Sequence, residues 1–125
     1  MPIAAQTRAF KTKRFSKSAK NAHIADSELC QALKEAMAGQ VVDLGGGVYI
    51  YKKRLNKNRH RSIILAKGGT YWIYEYLFAK QDRDNIDDTE LDMFRLLAKG
   101  YEGLNRTQLA QLIDEEHLLE ICHDP

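Results

Sequence analysis

The sequence predicts an α+β fold, in which N-terminal helices pack on a small, mainly antiparallel, twisted sheet and additional helices follow at the C-terminus. Apolar residues recur at helical spacing early in the chain, and strand-like segments then follow one another between residues 49 and 79. After Arg83 the spacing becomes helical again. Because strands and helices are grouped along the chain instead of alternating, an α+β class is favoured.

The first part of the chain carries a strand and two helices. Residues Arg8–Thr12 are predicted to form a short edge strand, and Lys13–Asn21 a short basic helix. A second helix is expected to be capped by Asp26 or Ser27 and to end near Gly39. Its apolar face carries Leu29, Leu33 and Met37.

Three antiparallel strands are predicted next. They are Tyr49–Leu55, Arg61–Ala66 and the aromatic segment Tyr71–Ala79. A basic loop, Asn56–His60, joins the first two, and Lys67–Thr70 has the Gly-Gly pair of a tight hairpin turn. The glycines at 45–47 lack the downstream Lys-Ser/Thr of a phosphate-binding loop, so we expect a turn there. The aromatic segment is expected to be the central, most buried strand.

Two acidic helices close the chain. Asp87 and Glu90 have the spacing of a capping box, and Asn105 is expected to cap the last helix. The predicted apolar faces are Leu91, Phe94, Leu97 and Tyr101 in one helix, and Leu109, Leu112 and Ile113 in the other. We expect the last helix to pack on the core and to hold its acidic residues outward.

The length of 125 residues predicts one domain, residues 1–125, with a core at about 8–86 and an acidic helical extension at about 87–125. No apolar run reaches the roughly 18 residues of a membrane span, and the N-terminus lacks the layout of a signal peptide. Cys30 and Cys122 suggest neither a disulfide framework nor a zinc site, so we expect packing residues in a reducing cytoplasm. The histidines lack metal-ligand spacing, which predicts no metal and no cofactor.

Basic residues are concentrated at the predicted strands. Six of the ten residues from Lys52 to Arg61 are Lys or Arg, and strand alternation places Lys52 and Arg54 on one face and Lys53 on the other. Residues 1–83 hold 16 Lys and Arg against 6 Asp and Glu, whereas residues 84–125 hold 3 against 11. Converging cations on one sheet face suit a polyanion, most simply a phosphodiester backbone. Tyr49 and Tyr51 flank the run and are candidates for base contacts.

Four stretches of the chain together resemble the RelE/ParE superfamily of toxins from bacterial type II toxin–antitoxin systems, in particular its RelE- or HigB-like branch. They are Asp43–Gly47, Tyr51–Leu55, Arg61–Leu65 and Phe78–Ile86. The resemblance spans roughly residues 8–115 and includes the order of the elements. It implies a toxin that cleaves mRNA, commonly in the ribosomal A site, without a metal ion. The ribose 2′-hydroxyl attacks the neighbouring phosphate while fixed cations offset the developing charge.

Site residues and partners follow from the same resemblance. The catalytic positions correspond to Lys52, Arg54 and Arg61. The RNA-binding positions are Lys53, Lys57, Arg59, Lys80, Arg83 and Tyr51. The expected partners are mRNA, the ribosome and a cognate antitoxin of helix-turn-helix or other DNA-binding type, in the cytoplasm. The chain departs from the family in its C-terminal tyrosine or histidine, because the nearest downstream tyrosine is Tyr101, on a predicted helix.

Two other functions fit the same sequence. One is a ParE-like inhibitor of DNA gyrase without nuclease activity, and the other is an inactive module that only binds its antitoxin. The basic strand face favours RNA, because a protein target does not require so many converging cations. Either an acidic antitoxin segment or the chain's own residues 87–125 could cover that face, and the apolar face of the last helix favours the antitoxin.

Overall fold

A computed structural model describes residues 8–55, 60–67, 71–79, 81–83 and 86–122, without the side chains of residues 52–55 and 67. The helices are α1 (Lys13–Asn21), α2 (Asp26–Met37), α3 (Asp88–Glu102) and α4 (Arg106–Asp114). The strands are β1 (Arg8–Thr12), β2 (Val42–Gly45), β3 (Val48–Leu55), β4 (His60–Lys67), β5 (Tyr71–Ala79) and β6 (Leu118–Ile121). The α+β class predicted from the sequence agrees with this composition. The predicted hairpin turn at Lys67–Thr70 lies mostly outside the described residues.

The six strands form one mixed sheet in the order β2-β3-β4-β5-β1-β6. Strand β1 runs parallel to β5, and every other pairing is antiparallel. The prediction that β1 is an edge strand is wrong, because β6 pairs along its other side. Strands β2 and β6, which the sequence did not predict, have four residues each. Such short segments carry too few alternations to be recognised as strands.

Helices cover both faces of the sheet. On the first face, residues of α1 and α2 pack against Tyr51, Ile64 and Tyr74. On the second face, Phe94 of α3 and Leu109 of α4 pack with the alternate strand residues, namely Val48, Ile50, Ile63, Leu65 and Ile73. The exposure of Asp114, Glu115 and Glu116 fits the expectation that the last helix holds its acids outward.

A β-bulge at Glu75 interrupts the alternation of β5. Ile63 pairs with Tyr76, whereas the next residue, Ile64, pairs with Tyr74, so Glu75 is an extra residue in β5. Tyr74 lies in the core of the first face and Tyr76 packs against the core of the second. A bulge re-aims the side chains that follow it. Here it brings Glu75 and Tyr76 to the second face, where α3 contacts both.

The helix ends agree in part with the predicted caps. Asp87 and Asn105 each form a capping box, with Glu90 and Gln108 respectively. The predicted capping of α2 by Asp26 or Ser27 is wrong, since Ala25 is the N-cap and makes no side-chain cap bond. Asp26 instead accepts a hydrogen bond from Lys11 at 2.6 Å. On α3, Ala98 is buried where Leu97 was expected, and Leu97 is exposed.

Cys30 and Cys122 form a disulfide bond, which contradicts the expectation of two independent packing cysteines. Strand β6 returns the end of the chain to β1, and Cys122 directly follows β6. Both cysteines then pack against the core of the first face, where α2 lies. The two residues are separated by 92 positions, so this proximity depends on the sheet topology and not on a local motif.

Candidate nucleic-acid interface

The predicted basic positions lie on two adjacent strands. Tyr51 of β3 pairs with Ser62 of β4, so Lys52 directly follows one member of this pair and Arg61 directly precedes the other. Lys53 and Arg54 are also in β3. The expectations about the side chains of these three β3 residues, and about Lys57, Arg59 and Lys80, fall outside the described part of the molecule. Lys52 and Arg61 are thus each one residue from the same cross-strand pair, and the register of the two strands shifts between Tyr51 and Leu55.

Arg61 is half-buried on the second face of the sheet. It pairs directly across the ladder with Phe78, whose ring is in the core of that face. Directly opposite residues of an antiparallel pair share a face. His60, expected in a loop, is the first residue of β4 and is half-buried. Its Nδ1 is buried without a hydrogen-bond partner among the described residues, but strand alternation turns it away from Arg61.

Tyr51 is fully buried on the first face, and its hydroxyl donates a hydrogen bond to Glu35 of α2 at 3.0 Å. A ring held in the core cannot stack on a nucleobase, so the expectation that Tyr51 binds RNA is not supported by its position. Tyr49 packs against the same core, and its ring contacts that of Trp72 in a tilted arrangement with centroids 5.5 Å apart. Both tyrosines stabilise the face that α2 covers.

Arg83 is held by a carboxylate of the chain itself. Its Nη1 donates to Oε2 of Glu90 at 2.8 Å, and its Nη2 donates to Oε1 of the same residue. These bonds raise the pKa of Arg83 and lower the pKa of Glu90. Because Glu90 also accepts a hydrogen bond from the backbone N–H of Asp87, the first turn of α3 fixes the carboxylate against the arginine. The predicted RNA contact is thus an ion pair in the free chain.

Four side chains form an arginine–aromatic cluster on the second face: Arg14, Tyr76, Phe78 and Arg83. The guanidinium of Arg14 lies over the ring of Tyr76, 5.0 Å from its centroid, and that of Arg83 lies 5.8 Å from the centroid of Phe78. The two rings stack with centroids 5.7 Å apart. The sequence did not predict Arg14 and Tyr76 as site residues, because only the bulge in β5 and the end of β1 bring them together.

A buried carboxylate lies beside this cluster. Glu75 accepts a hydrogen bond from the hydroxyl of Tyr101 at 3.2 Å, and its Oε2 is 3.5 Å from Nη2 of Arg14. Burial raises the pKa of Glu75, although Arg14 and Tyr101 oppose the shift. Burial and the neighbouring Glu75 raise the pKa of Tyr101. Tyr101 is therefore a hydrogen-bond donor to Glu75 and is poorly suited to act as a general base.

The described part of the chain contains no group of three or more His, Cys, Asp or Glu side chains placed to hold a metal ion. None of its helices combines the length and the apolar composition that a membrane span requires.

Comparison with known proteins gives one match. A family model described as the RelE toxin of the RelE/RelB toxin–antitoxin system matches residues 7–121. The matched region begins just before β1 and ends with β6, so it includes all ten helices and strands of the described structure. Neither the comparison with curated proteins nor the comparison with solved structures found a match.

Proposed function

The chain belongs to the RelE toxin family of toxin–antitoxin systems, and we propose that it is a metal-independent endoribonuclease that cleaves mRNA on the ribosome and so stops translation. The observation that carries this proposal is the placement of Arg61. It stands next to the basic strand β3 and on the same sheet face as the arginine–aromatic cluster. Basic residues of β3, Arg61 of β4 and the arginines of the cluster can then contact the same RNA strand.

The proposed reaction is a transesterification within the RNA strand. The 2′-oxygen of one ribose attacks the adjacent phosphorus, and the bond from phosphorus to the 5′-oxygen of the next nucleotide breaks. The 2′-hydroxyl loses its proton, the leaving oxygen gains one, and the products are a 2′,3′-cyclic phosphate and a 5′-hydroxyl. Charge grows on the non-bridging phosphate oxygens as the transition state forms, and fixed cations stabilise it.

Arg61 is proposed to bind the scissile phosphate, because a guanidinium can donate two parallel hydrogen bonds to phosphate oxygens. Lys52 and Arg54 are proposed to stabilise the developing charge. Lys53, Lys57, Arg59 and Lys80 are proposed to hold the flanking backbone. Tyr51 is left out of this assignment because its ring is in the core.

Arg83 can contribute to RNA binding only if a phosphate replaces the carboxylate of Glu90. Carboxylate and phosphate are both bound bidentately by the planar guanidinium, so the two anions compete for the same donors. A cluster of acids at the start of α3, Asp87, Asp88 and Glu90, raises the cost of that exchange. We propose that Arg83 contacts RNA at the rim of the site, after this exchange.

The family implies a cognate antitoxin, which we propose to be an acidic, DNA-binding protein encoded beside the toxin. A ribosomal target requires action in the cytoplasm, where thiols are usually kept reduced. The Cys30–Cys122 bond is then expected to be open in the cell and closed in oxidised protein.

Brief induction of the chain in growing cells tests the proposed target. Incorporation of labelled amino acid should fall within minutes, before that of labelled thymidine, and mRNA should be cut within coding sequence. The matched control is induction of an Arg61→Ala variant at the same protein level. An early loss of thymidine incorporation with intact translation would contradict the proposal and point to gyrase.

A further inference from the structure

We propose that Arg14 is a further RNA-binding residue of this toxin and that the buried Glu75 positions it. The inference rests on the proposed function and extends it to a residue outside the basic strands. In this proposal Arg14 binds a phosphate that is next to the scissile phosphate in the single-stranded RNA.

The end of β1 allows Arg14 to reach the second face of the sheet. Strand β1 stops at Thr12, whereas its neighbour β5 continues from Tyr74, the last paired residue, to Ala79. Arg14, in the first turn of α1, fills the space beside this longer part of β5. Its guanidinium covers Tyr76, which is two residues along the strand from Phe78, the partner of Arg61. Residues two positions apart on a strand, such as Tyr76 and Phe78, lie roughly 7 Å apart. Arg14 and Arg61 are therefore close enough to contact the same RNA strand.

One nitrogen of the Arg14 guanidinium is held by Glu75, and the other nitrogens are available. Its Nη2 lies 3.4 Å from the backbone oxygen of Glu75 and 3.5 Å from Oε2 of the same residue. The Glu75 side chain is only 8% exposed, whereas that of Arg14 is 53% exposed. The other nitrogens of Arg14 have no hydrogen-bond partner among the described residues. The guanidinium is thus oriented by the protein and still has donors for a ligand.

Arg8 provides an internal comparison. Its guanidinium also lies over a ring, that of Phe10 at 5.1 Å, and it faces a carboxylate. In that case Nε and Nη2 both donate to Glu120 at 2.7 Å, so this edge of the guanidinium is engaged bidentately within the fold. Two arginines of similar surroundings therefore differ in one respect. Both carboxylate oxygens of Glu120 are bound by Arg8 at short distance, whereas Arg14 is held by a single nitrogen at 3.4–3.5 Å.

RNA is the ligand that this arrangement suits. The Tyr76 ring supports one face of the guanidinium, and the donors along the edge that Glu75 does not bind match the oxygens of a phosphate. Tyr76 and Phe78 stack on each other, and Arg14 and Arg83 lie over these two rings, so the two arginines form a single positive surface. The carboxylate of Glu75 is behind this surface, and it can orient Arg14 without meeting the RNA.

Steady-state cleavage of mRNA on programmed ribosomes, together with binding of a fluorescein-labelled single-stranded RNA at several salt concentrations, tests the proposal. Arg14→Gln should raise KM and weaken RNA binding by about tenfold, with kcat within about twofold of wild type. The slope of log K against log salt should fall by about 0.7, the value for one lost phosphate contact on a single strand. Arg8→Gln is the matched control and should leave KM and the slope unchanged.

Two further variants separate positioning from charge. Arg14→Lys should keep the salt slope but lose part of the affinity, because lysine neither forks nor stacks in the same way. Glu75→Gln should raise KM by about threefold with an unchanged slope, because Arg14 keeps its charge but loses its anchor. An unchanged KM in Glu75→Gln would show that Glu75 does not position Arg14.

The outcome for wild type distinguishes the two proposals. If wild type cleaves mRNA and Arg61→Ala does not, while Arg14→Gln behaves as Arg8→Gln does, the role of Arg14 is wrong and the proposed function stands. If wild type neither cleaves mRNA nor binds RNA, both are wrong. Circular dichroism and thermal melting of each variant show whether a loss of RNA binding reflects misfolding. If Arg14→Gln misfolds, the RNA affinity of Arg14→Lys, which keeps the charge, tests the role of Arg14 instead.

Discussion

Cys30 in α2 and Cys122 after β6 are covalently joined, so the last strand of the sheet is tied to a helix from the first third of the chain. The bond closes a loop of 92 residues. Strand β6 is an edge strand with four residues, and few hydrogen bonds hold it. The disulfide therefore adds a covalent link to an edge strand whose Leu118 and Ile121 side chains are buried in the core.

Opening this bond should destabilise the protein. Cys122→Ser is expected to lower the free energy of unfolding of oxidised protein by about 2–5 kcal/mol, because a long loop in the unfolded chain is no longer constrained. Urea denaturation with and without dithiothreitol measures the effect. The double variant Cys30→Ser, Cys122→Ser should not respond to the reductant. A wild-type midpoint that dithiothreitol does not change would contradict this prediction.

Arg61→Ala should lower kcat for mRNA cleavage by about 10²–10³-fold, the usual effect of removing one donor that stabilises a developing anion. Arg61→Lys should retain part of the activity, since it keeps the charge and loses the fork. Cleavage on programmed ribosomes under single-turnover conditions gives the rate. Arg106→Ala, at an exposed position on α4, is the control. Equal rates for Arg61→Ala and wild type would remove Arg61 from the site.

Glu90→Gln should lower stability at pH 7, because the variant loses the ion pair with Arg83. Glutamine still serves in a capping box, so the change isolates the charge. The pKa of Glu90 is below its ordinary value of 4.5 in the folded chain. The stability that ionised Glu90 contributes is therefore fully present above pH 4.5 and is lost as the pH falls through the folded pKa. Urea midpoints of variant and wild type should differ at pH 7, and the difference should shrink as the pH falls below 4.5 through the folded pKa.

Glu75→Gln should have the opposite dependence on pH. Burial raises the pKa of Glu75 above its ordinary value of 4.5, so the fold favours the protonated form. Wild type therefore gains stability relative to the variant as the pH falls through the folded pKa, and the gain is complete below 4.5. At pH 7 the variant should be the more stable protein, because an amide still accepts the bond from Tyr101. A variant that is less stable at pH 7 would show that the ion pair with Arg14 outweighs burial.

Tyr51→Phe should leave RNA binding unchanged and reduce stability. The variant keeps the buried ring and loses the hydrogen bond to Glu35, which should cost about 1 kcal/mol. Thermal melting and the RNA-binding titration measure the two effects. Weaker RNA binding in a folded Tyr51→Phe protein would restore the original expectation that this tyrosine contacts bases.

Part of the site could be read from the sequence, because it depends on neighbouring strands. The basic residues of β3 and β4 are close along the chain and are joined by a short connection, so antiparallel pairing puts Lys52 and Arg61 each one residue from the Tyr51–Ser62 pair. The ion pair of Arg83 with Glu90 was not predicted, although only seven positions separate the two residues. Its formation depends on where α3 begins relative to the end of β5.

The sequence by itself determined the α+β class, the bounds of α1 and β5, and the capping boxes at Asp87 and Asn105. These features arise from interactions within a few residues, where periodicity and hydrogen-bonding side chains act directly. The tertiary structure alone decided that β1 lies inside the sheet, that Cys30 meets Cys122, and that the bulge turns Glu75 and Tyr76 toward Arg14. Those contacts join residues 61 or more positions apart. Local sequence patterns do not predict such distant contacts, because the contacts form only when the strands have paired and helices cover both faces of the sheet.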